Sequence, residues 1–317
     1  MIKATVVFEQ DIVIKDYTAK LVKTLLISGN PKLEELLSKG RDFPPKPIHI
    51  TPLYTTVTTG DGRERKEVVY TRFVPKESTA RPPHIEKLRP VRIEAGKKYF
   101  FYVGTSMNLL NEILTGLSNA SEFNFGRDVV SIGELGYEIS YVDVNREAER
   151  ATSFLVGEGP QIKVVFESPT ILKDPLAIMR WKKKKLLLPL PEAVLSIPVF
   201  MVLYDSGKVR TSIILKCMRY IKSSLDIPYT TLKTVRLVWY VYDNKVLPAM
   251  IGYAKYFVDG DILQRVQTSL KTKYSLSFAE ILSKALVLAQ VYGVGDGRAT
   301  GFGHASFSVN RLPLRIN

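Results

Sequence analysis

Cysteine is almost absent. Cys217 stands alone in 317 residues, which excludes an internal disulfide framework and any paired-cysteine metal knuckle. That scarcity points to a reducing compartment, the cytoplasm. Histidine is nearly as scarce, at three residues, so groups that titrate near neutral pH are few. No apolar run approaches the ~20 residues of a spanning helix, and no membrane role is expected. The opening stretch MIKATVVFEQDIVI mixes charged and apolar residues and reads as a strand, not as a signal peptide. No Gly-Lys-Ser/Thr phosphate loop and no Gly-x-Ser-x-Gly elbow occurs. The acids Glu34-Glu35 and Asp143, Glu147 are scattered, so neither a two-metal clamp nor a bound cofactor is expected.

Acidic residues are also in deficit, 31 against 45 lysines and arginines, for a net charge of +14. An excess of this size favours a polyanionic partner through release of condensed counterions. A nucleic acid fits better than a membrane surface, because the cations do not gather on one amphipathic helix. Hydrophobic residues make up 45 %, enough for a packed core.

Periodicity then sets the grammar. Ile2–Ile14 reads as a strand. Tyr17–Ser28 reads as a helix with Leu21/Leu25 and Val22/Leu26 four apart, and Lys32–Ser38 as a short helix after Asn30-Pro31. Ile48–Val57 and Glu67–Val74 flank a Gly-Asp-Gly turn as a hairpin, and 75–90 is a charged, proline-rich loop. Lys98–Gly104 is a strand, Met107–Ser118 a helix and Gly136–Val144 a strand. The second half repeats the order: strand Gln161–Glu167, helices Pro191–Tyr204 and Arg210–Ser223, strands Thr234–Asp243 and Ala249–Val258 around Asp243-Asn244. A helix over Ser277–Tyr292, with the capping-box pair Ser277 and Glu280, and a last strand, His304–Val309, complete it. The order β-α-β-β-α-β twice over suggests an α+β chain of two tandem ferredoxin-like (RRM-like) modules, 1–157 and 158–317. Such modules leave one sheet face open, the face many RNA-binding domains use.

The most unusual stretch is GVGDGRATGFG, Gly293–Gly303, with Gly293, Gly295, Gly297, Gly301 and Gly303. It follows a helix and precedes a strand, the reverse of a dinucleotide-binding fingerprint. Glycine here permits positive φ or a very close backbone approach, and Arg298 in mid-loop can add a bidentate phosphate contact. The pattern Gly-h-Gly-x5-Gly-h-Gly before a final strand resembles the signature of the RAMP superfamily of CRISPR-associated proteins. Within it the chain resembles the endoribonucleases that process CRISPR precursor RNA. PPKPIHITPLY (Pro44–Tyr54), FESPT (Phe166–Thr170) and GYAKYFV (Gly252–Val258) resemble other segments of that family in register.

The resemblance implies cleavage of CRISPR repeat RNA without metal, by attack of a 2′-OH on the adjacent phosphate. It also implies a histidine just after the early helices. That segment here is Leu36-Leu37-Ser38-Lys39-Gly40-Arg41 and has none. His49 lies in the following strand, on the face opposite Lys46. His84 and His304 are elsewhere. The resemblance shifts the catalytic candidates to cations: Lys23 and Lys46 first, then Lys20, three residues from Lys23 on one helix face, with Tyr17 as an orienting hydroxyl. Lys39 and Arg41 are RNA-binding candidates beside them. So are Arg180, Trp181, Lys182, Lys183, Lys184 and Lys185, which put a stacking ring among five cations, and the glycine loop with Arg298. The partner is repeat RNA. A homodimer, or a CRISPR interference complex in which the chain binds RNA without cutting it, stays open.

Overall fold

The computed structural model describes residues 1–38, 45–70, 72–73, 88–155, 159–176, 185–310 and 312–314. Two compact units account for the chain: residues 1–140 with 237–249 and 298–302, and residues 141–236 with 250–297 and 303–317. Both combine helices with antiparallel sheets, an α+β architecture.

In the first unit β1 (Ile2–Phe8) buries Ile2, Ala4, Val6 and Phe8 and turns Lys3, Thr5 and Val7 outward. That period of two presents one face to the helices. β1 is antiparallel to both neighbours, β5 (Lys98–Thr105) and β7 (Asp128–Ile139), with Val6 opposite Tyr99 and Leu135. On the far side of β5 lie β2 (Ile48–Ile50) and β3 (Tyr54–Thr58), and β3 hairpins with β4 (Glu64–Val68). β6 (Glu122–Phe125) hairpins with β7. Counting β2 and β3 as one strand interrupted at Pro52, which has no N–H to donate, the four principal strands lie in the order 4-1-3-2. α1 (Ala19–Gly29) and α3 (Met107–Ser118) cover the buried face with Leu21, Val22, Leu25, Leu26, Ile113 and Leu117. The two helices nearly touch where glycine meets glycine: a Cβ on Gly29 would stand 2.0 Å from the Gly116 carbonyl oxygen. α2 (Leu33–Ser38) follows α1.

The second unit begins with α4 (Val144–Leu155). β8 (Gln161–Thr170) is antiparallel to both β10 (Lys245–Val258) and β11 (Ala305–Val309), with Val164 opposite Ala254 and Phe307. β9 (Val235–Tyr242) pairs with β10, so these four strands also lie 4-1-3-2. Residues 237–249 at the tip of this hairpin count with the first unit. α5 (Ser196–Asp205), α6 (Thr211–Ser224), α7 (Gly260–Tyr274) and α8 (Phe278–Tyr292) fill the core. The Ser277 cap is present: its side chain accepts from the Glu280 N–H.

Several elements differ from the sequence pattern, which did not mark the helix Gly260–Tyr274 or the strand Glu122–Phe125. Ile2–Ile14 is two strands, because Ile12–Ile14 leaves the sheet to pair with Val91–Ile93. The hairpin after Ile50 is shorter at its second strand, ending at Val68. Gly136–Val144 is not a strand of its own. It holds the end of β7, and α4 starts at Val144, where the Asp143 carboxylate accepts from the Arg146 N–H at 3.1 Å. β-Branched residues up to Val144 mask that cap. Among the described residues no helix is long and apolar enough to cross a membrane.

Candidate functional site

The first turn of α1 is where charge and aromatic packing meet within the first unit. Asp16 precedes it, and its carboxylate accepts from the Tyr17 N–H at 2.8 Å and from Lys20 Nζ at 3.0 Å. A second carboxylate reaches the same ammonium. Asp243 and Asn244 form the two-residue turn of the β9–β10 hairpin, with φ of 49° and 59°. Asp and Asn tolerate this left-handed pair better than most residues, which suits a tight hairpin turn. The turn sets Asp243 Oδ1 2.6 Å from Lys20 Nζ, and the Asp243 N–H donates to Asp16 Oδ2 at 3.3 Å. Burial works against the Lys20 charge, but hydrogen bonds to Asp243 and Asp16 outweigh it and raise the pKa.

Lys23, one turn on, is different. Burial lowers its pKa and Lys20 lowers it further, against the opposing pull of Asp243 and Glu34. The helix thus carries two amines of opposite character, one neutralised by an acid pair and one half-buried with a depressed pKa.

The turn Arg298–Thr300 and the two residues after it hold this region together. The Tyr17 hydroxyl donates to the Gly301 carbonyl at 2.9 Å, and its ring stacks on Phe302 at 4.6 Å and 7°. Tyr240 lies 4.7 Å from Phe302, and Tyr242 meets it edge-on at 5.9 Å. Burial pushes the Tyr242 hydroxyl pKa up, with Asp243 adding. Gly301 has φ +97°, and a Cβ there would stand 2.1 Å from the Ala19 Cβ. From the same turn Arg298 donates Nη2–H to the Lys46 carbonyl at 3.0 Å. Residues 298–302 therefore fix both the start of α1 and the main chain of Lys46.

The close approach that demands glycine comes from the protein's own backbone. In the second unit a Cβ on Gly295 would lie 2.2 Å from the Ile171 carbonyl oxygen, and one on Gly303 1.8 Å from that of Val294. The N–H groups of Val294, Asp296 and Gly303 are donated to the carbonyls of Gly303, Ile171 and Pro169. Gly293 and Gly297 also have positive φ, 68° and 73°.

The structure brings together Tyr17, Lys20, Lys23, Arg298, Gly301 and the Lys46 main chain. Tyr17 is fully buried, and its hydroxyl serves the Gly301 carbonyl. Lys185 is elsewhere, exposed on a two-residue strand of the second unit opposite Lys173, which pairs with Asp296 at 2.7 Å. Lys39, Arg41, Arg180, Trp181, Lys182, Lys183, Lys184 and His84 lie outside the described residues. His49 is fully buried, and His304 is buried in the second unit with Nε2 3.7 Å from Glu167. Asp16, Asp243 and Tyr242 are the residues sequence reasoning passed over. Asp243 was legible only as a turn former, since nothing local shows which helix a hairpin tip will reach. Among the described residues no three His, Cys, Asp or Glu side chains gather as a metal site.

Residues 1–64 match the family model of the Cas6 N-terminal domain. No curated protein matches the sequence. A Thermus thermophilus Cas6, solved as a product complex, is similar over 99 % of each chain, with a TM-score of 0.53 at 16 % identity. A second Cas6 product complex is similar over 96 % of this chain and 98 % of its own, with a TM-score of 0.50 at 13 % identity. At these identities the likeness is one of fold.

Proposed function

We propose that this chain is a Cas6-type RAMP protein, a reading supported by the match of residues 1–64 and the likeness of fold, and that it is an endoribonuclease that cuts CRISPR repeat RNA by metal-independent transesterification. Its two units are read as tandem ferredoxin-like modules, each with strand order 4-1-3-2. The single observation that supports the reading most is the hold of residues 298–302 on both the α1 first turn and Lys46. It ties two cation-bearing segments, distant in sequence, to one rigid turn.

In the reaction the 2′-oxygen forms a bond to the adjacent phosphorus as its proton passes to solvent water. The P–O5′ bond breaks, and the 5′-oxygen takes up a proton. The products are a 2′,3′-cyclic phosphate and a 5′-hydroxyl, with no net redox change. The protein's work is to hold attack in line, offset charge on the phosphorane oxygens and deliver the proton. Lys23 is the group assigned to the phosphorane and the leaving oxygen. A depressed pKa makes its ammonium a better acid than an ordinary lysine at ~10.4. Lys20, tied to two carboxylates, is the anchor that spaces Lys23. Lys46 is the second cation facing the phosphate, and Tyr17 positions the helix start against Gly301.

Incubating the purified chain with repeat RNA in EDTA tests this: the 3′ ends should be cyclic phosphates. Intact RNA that is tightly bound would instead identify a non-catalytic RNA-binding subunit of an interference complex. The burial of His49 and His304 favours that second reading.

A further inference from the structure

The sheet of the second unit has two chemically different faces. Ile162, Val164, Phe166, Ala254, Tyr256 and Phe307 are buried in the core. The alternate residues keep exposure: Lys163 on β8, Tyr253, Lys255 and Phe257 on β10, and Ser306 and Ser308 on β11. Phe257 is 45 % exposed. Lys163 stands directly opposite Lys255 on one side and Ser308 on the other, and its Nζ lies 4.7 Å from the Tyr253 ring centroid.

This composition is a poor choice for stability alone. Like charges directly opposite on paired strands are destabilising. Among the described residues neither lysine has a carboxylate within ion-pairing distance. The acids of this face stand at its margins: Glu167, beside His304, and Asp226, opposite Phe257 on a two-residue edge strand. A phenylalanine on the same face, Phe257, is left open to water. A ligand that brings flat π-faces and regularly spaced negative charge answers both defects. Unpaired RNA is that ligand, since bases stack on aromatic rings whatever their identity while phosphates take the cations. A protein partner would need either to supply carboxylates between the two lysines or to leave them opposed.

We propose that this face binds unpaired nucleotides of the RNA, with Phe257 and Tyr253 stacking bases and Lys163 and Lys255 meeting phosphates. The proposal rests on the reading of RNA as substrate. The test uses the full chain and two probes: a fluorescein-labelled oligouridylate for binding, and repeat RNA in EDTA for cutting. Phe257→Ala and Tyr253→Ala should each weaken oligouridylate binding by roughly tenfold, and Phe257→Trp should retain it. Lys163→Ala and Lys255→Ala should each flatten the log–log salt dependence by about 0.7. Wild-type affinity in Phe257→Ala and in Lys255→Ala overturns the platform, as does a wild-type chain that binds no oligouridylate. Wild-type cleavage of repeat RNA beside either result leaves the nuclease reading standing. Phe257-dependent binding without cleavage keeps the platform and removes the nuclease. If Tyr253→Ala does not fold, Phe257→Ala carries the test, with a thermal melt as its control.

Discussion

Lys20 and Lys23 are three residues apart on one helix and have been given opposite environments. Lys20 gains two carboxylates, and its raised pKa makes its pairing a stabilising interaction below the ordinary lysine range. That contribution is lost as pH climbs through the raised folded value. Lys23 is held in a fold that disfavours its charge. Its cost is present below the depressed folded pKa and vanishes as pH rises toward ~10.4, so stability from this group increases with pH through that window. The proposed reaction gives a reason to keep such a group. Lys23→Met should therefore melt no lower than wild type at neutral pH, yet lower the single-turnover cleavage rate by ~10²-fold with repeat-RNA binding within a few-fold. A marked fall in melting temperature with unchanged rate would make Lys23 a structural residue. Asp243 gives a sharper handle. Its carboxylate pulls the Lys23 pKa up, so Asp243→Asn should drop that pKa further. If the Lys23 ammonium protonates the 5′-oxygen, the alkaline limb of the pH–rate profile should move to lower pH. An unmoved limb would show that the hairpin tip does not tune the chemistry. That Lys20 and Lys23 share one helix with Tyr17 at its start was legible in the sequence. The acids that differentiate the two lysines were not, because Asp243 is 223 positions from Lys20 in sequence and only the hairpin brings it to α1.

At the scale of elements, the glycine-rich stretch shows that a close approach can be legible before the atoms that make it. Five glycines in eleven residues announced close approach, and the approach is real. The nearest atoms belong to Ala19, Ile171 and Val294. Spacing cannot say whether a backbone or a phosphate fills the space, because glycine answers both demands in the same way. The elements α1, α3, β1 and β8 were legible because burial alternates at their own period, and α8, buried almost all round, through its length and its Ser277 cap. α4 was missed because an Asp cap followed directly on a strand, and α4 buries only Glu147, Ala148, Ala151 and Leu155. The packing role of the loop predicts an asymmetry between glycines. A Cβ on Gly207, where φ is +67°, would meet no heavy atom within 4 Å, so Gly207→Ala should destabilise by only ~1 kcal/mol. Gly301→Ala adds a clash with Ala19 to an equally unfavourable φ of +97° and should cost about 3 kcal/mol or more. Chemical denaturation of the two variants compares them directly, and equal midpoints would mean the 298–302 turn does not hold α1.

On the scale of the whole molecule, the α+β architecture with antiparallel sheets was legible because both halves alternate stretches of period two and 3.6. The assignment of 237–249 and 298–302 to the first unit was not, since local burial patterns do not say which core a segment joins. The charge of +14 is a property at this scale too, and it separates grip from chemistry. Phosphates neutralised by lysine and arginine release counterions, giving a slope of about −0.7 per neutralised phosphate on a single strand. Salt should therefore weaken repeat-RNA binding steeply while leaving the single-turnover rate at saturating protein nearly constant, because the reacting phosphate is already held. On the proposed reading the run Lys182–Lys185 is assigned to the gripping side of that division. Replacing its four lysines with alanine should flatten the salt slope by roughly 0.7 for each phosphate that is no longer neutralised and leave the saturated rate unchanged. Lys23→Ala should do the reverse, keeping the slope and losing the rate. A titration of both variants across ionic strength reads the two quantities in one experiment. If the alanine run lowers the saturated rate as much as Lys23→Ala does, cation number rather than cation position governs cleavage, and the assignment of chemistry to the α1 first turn falls.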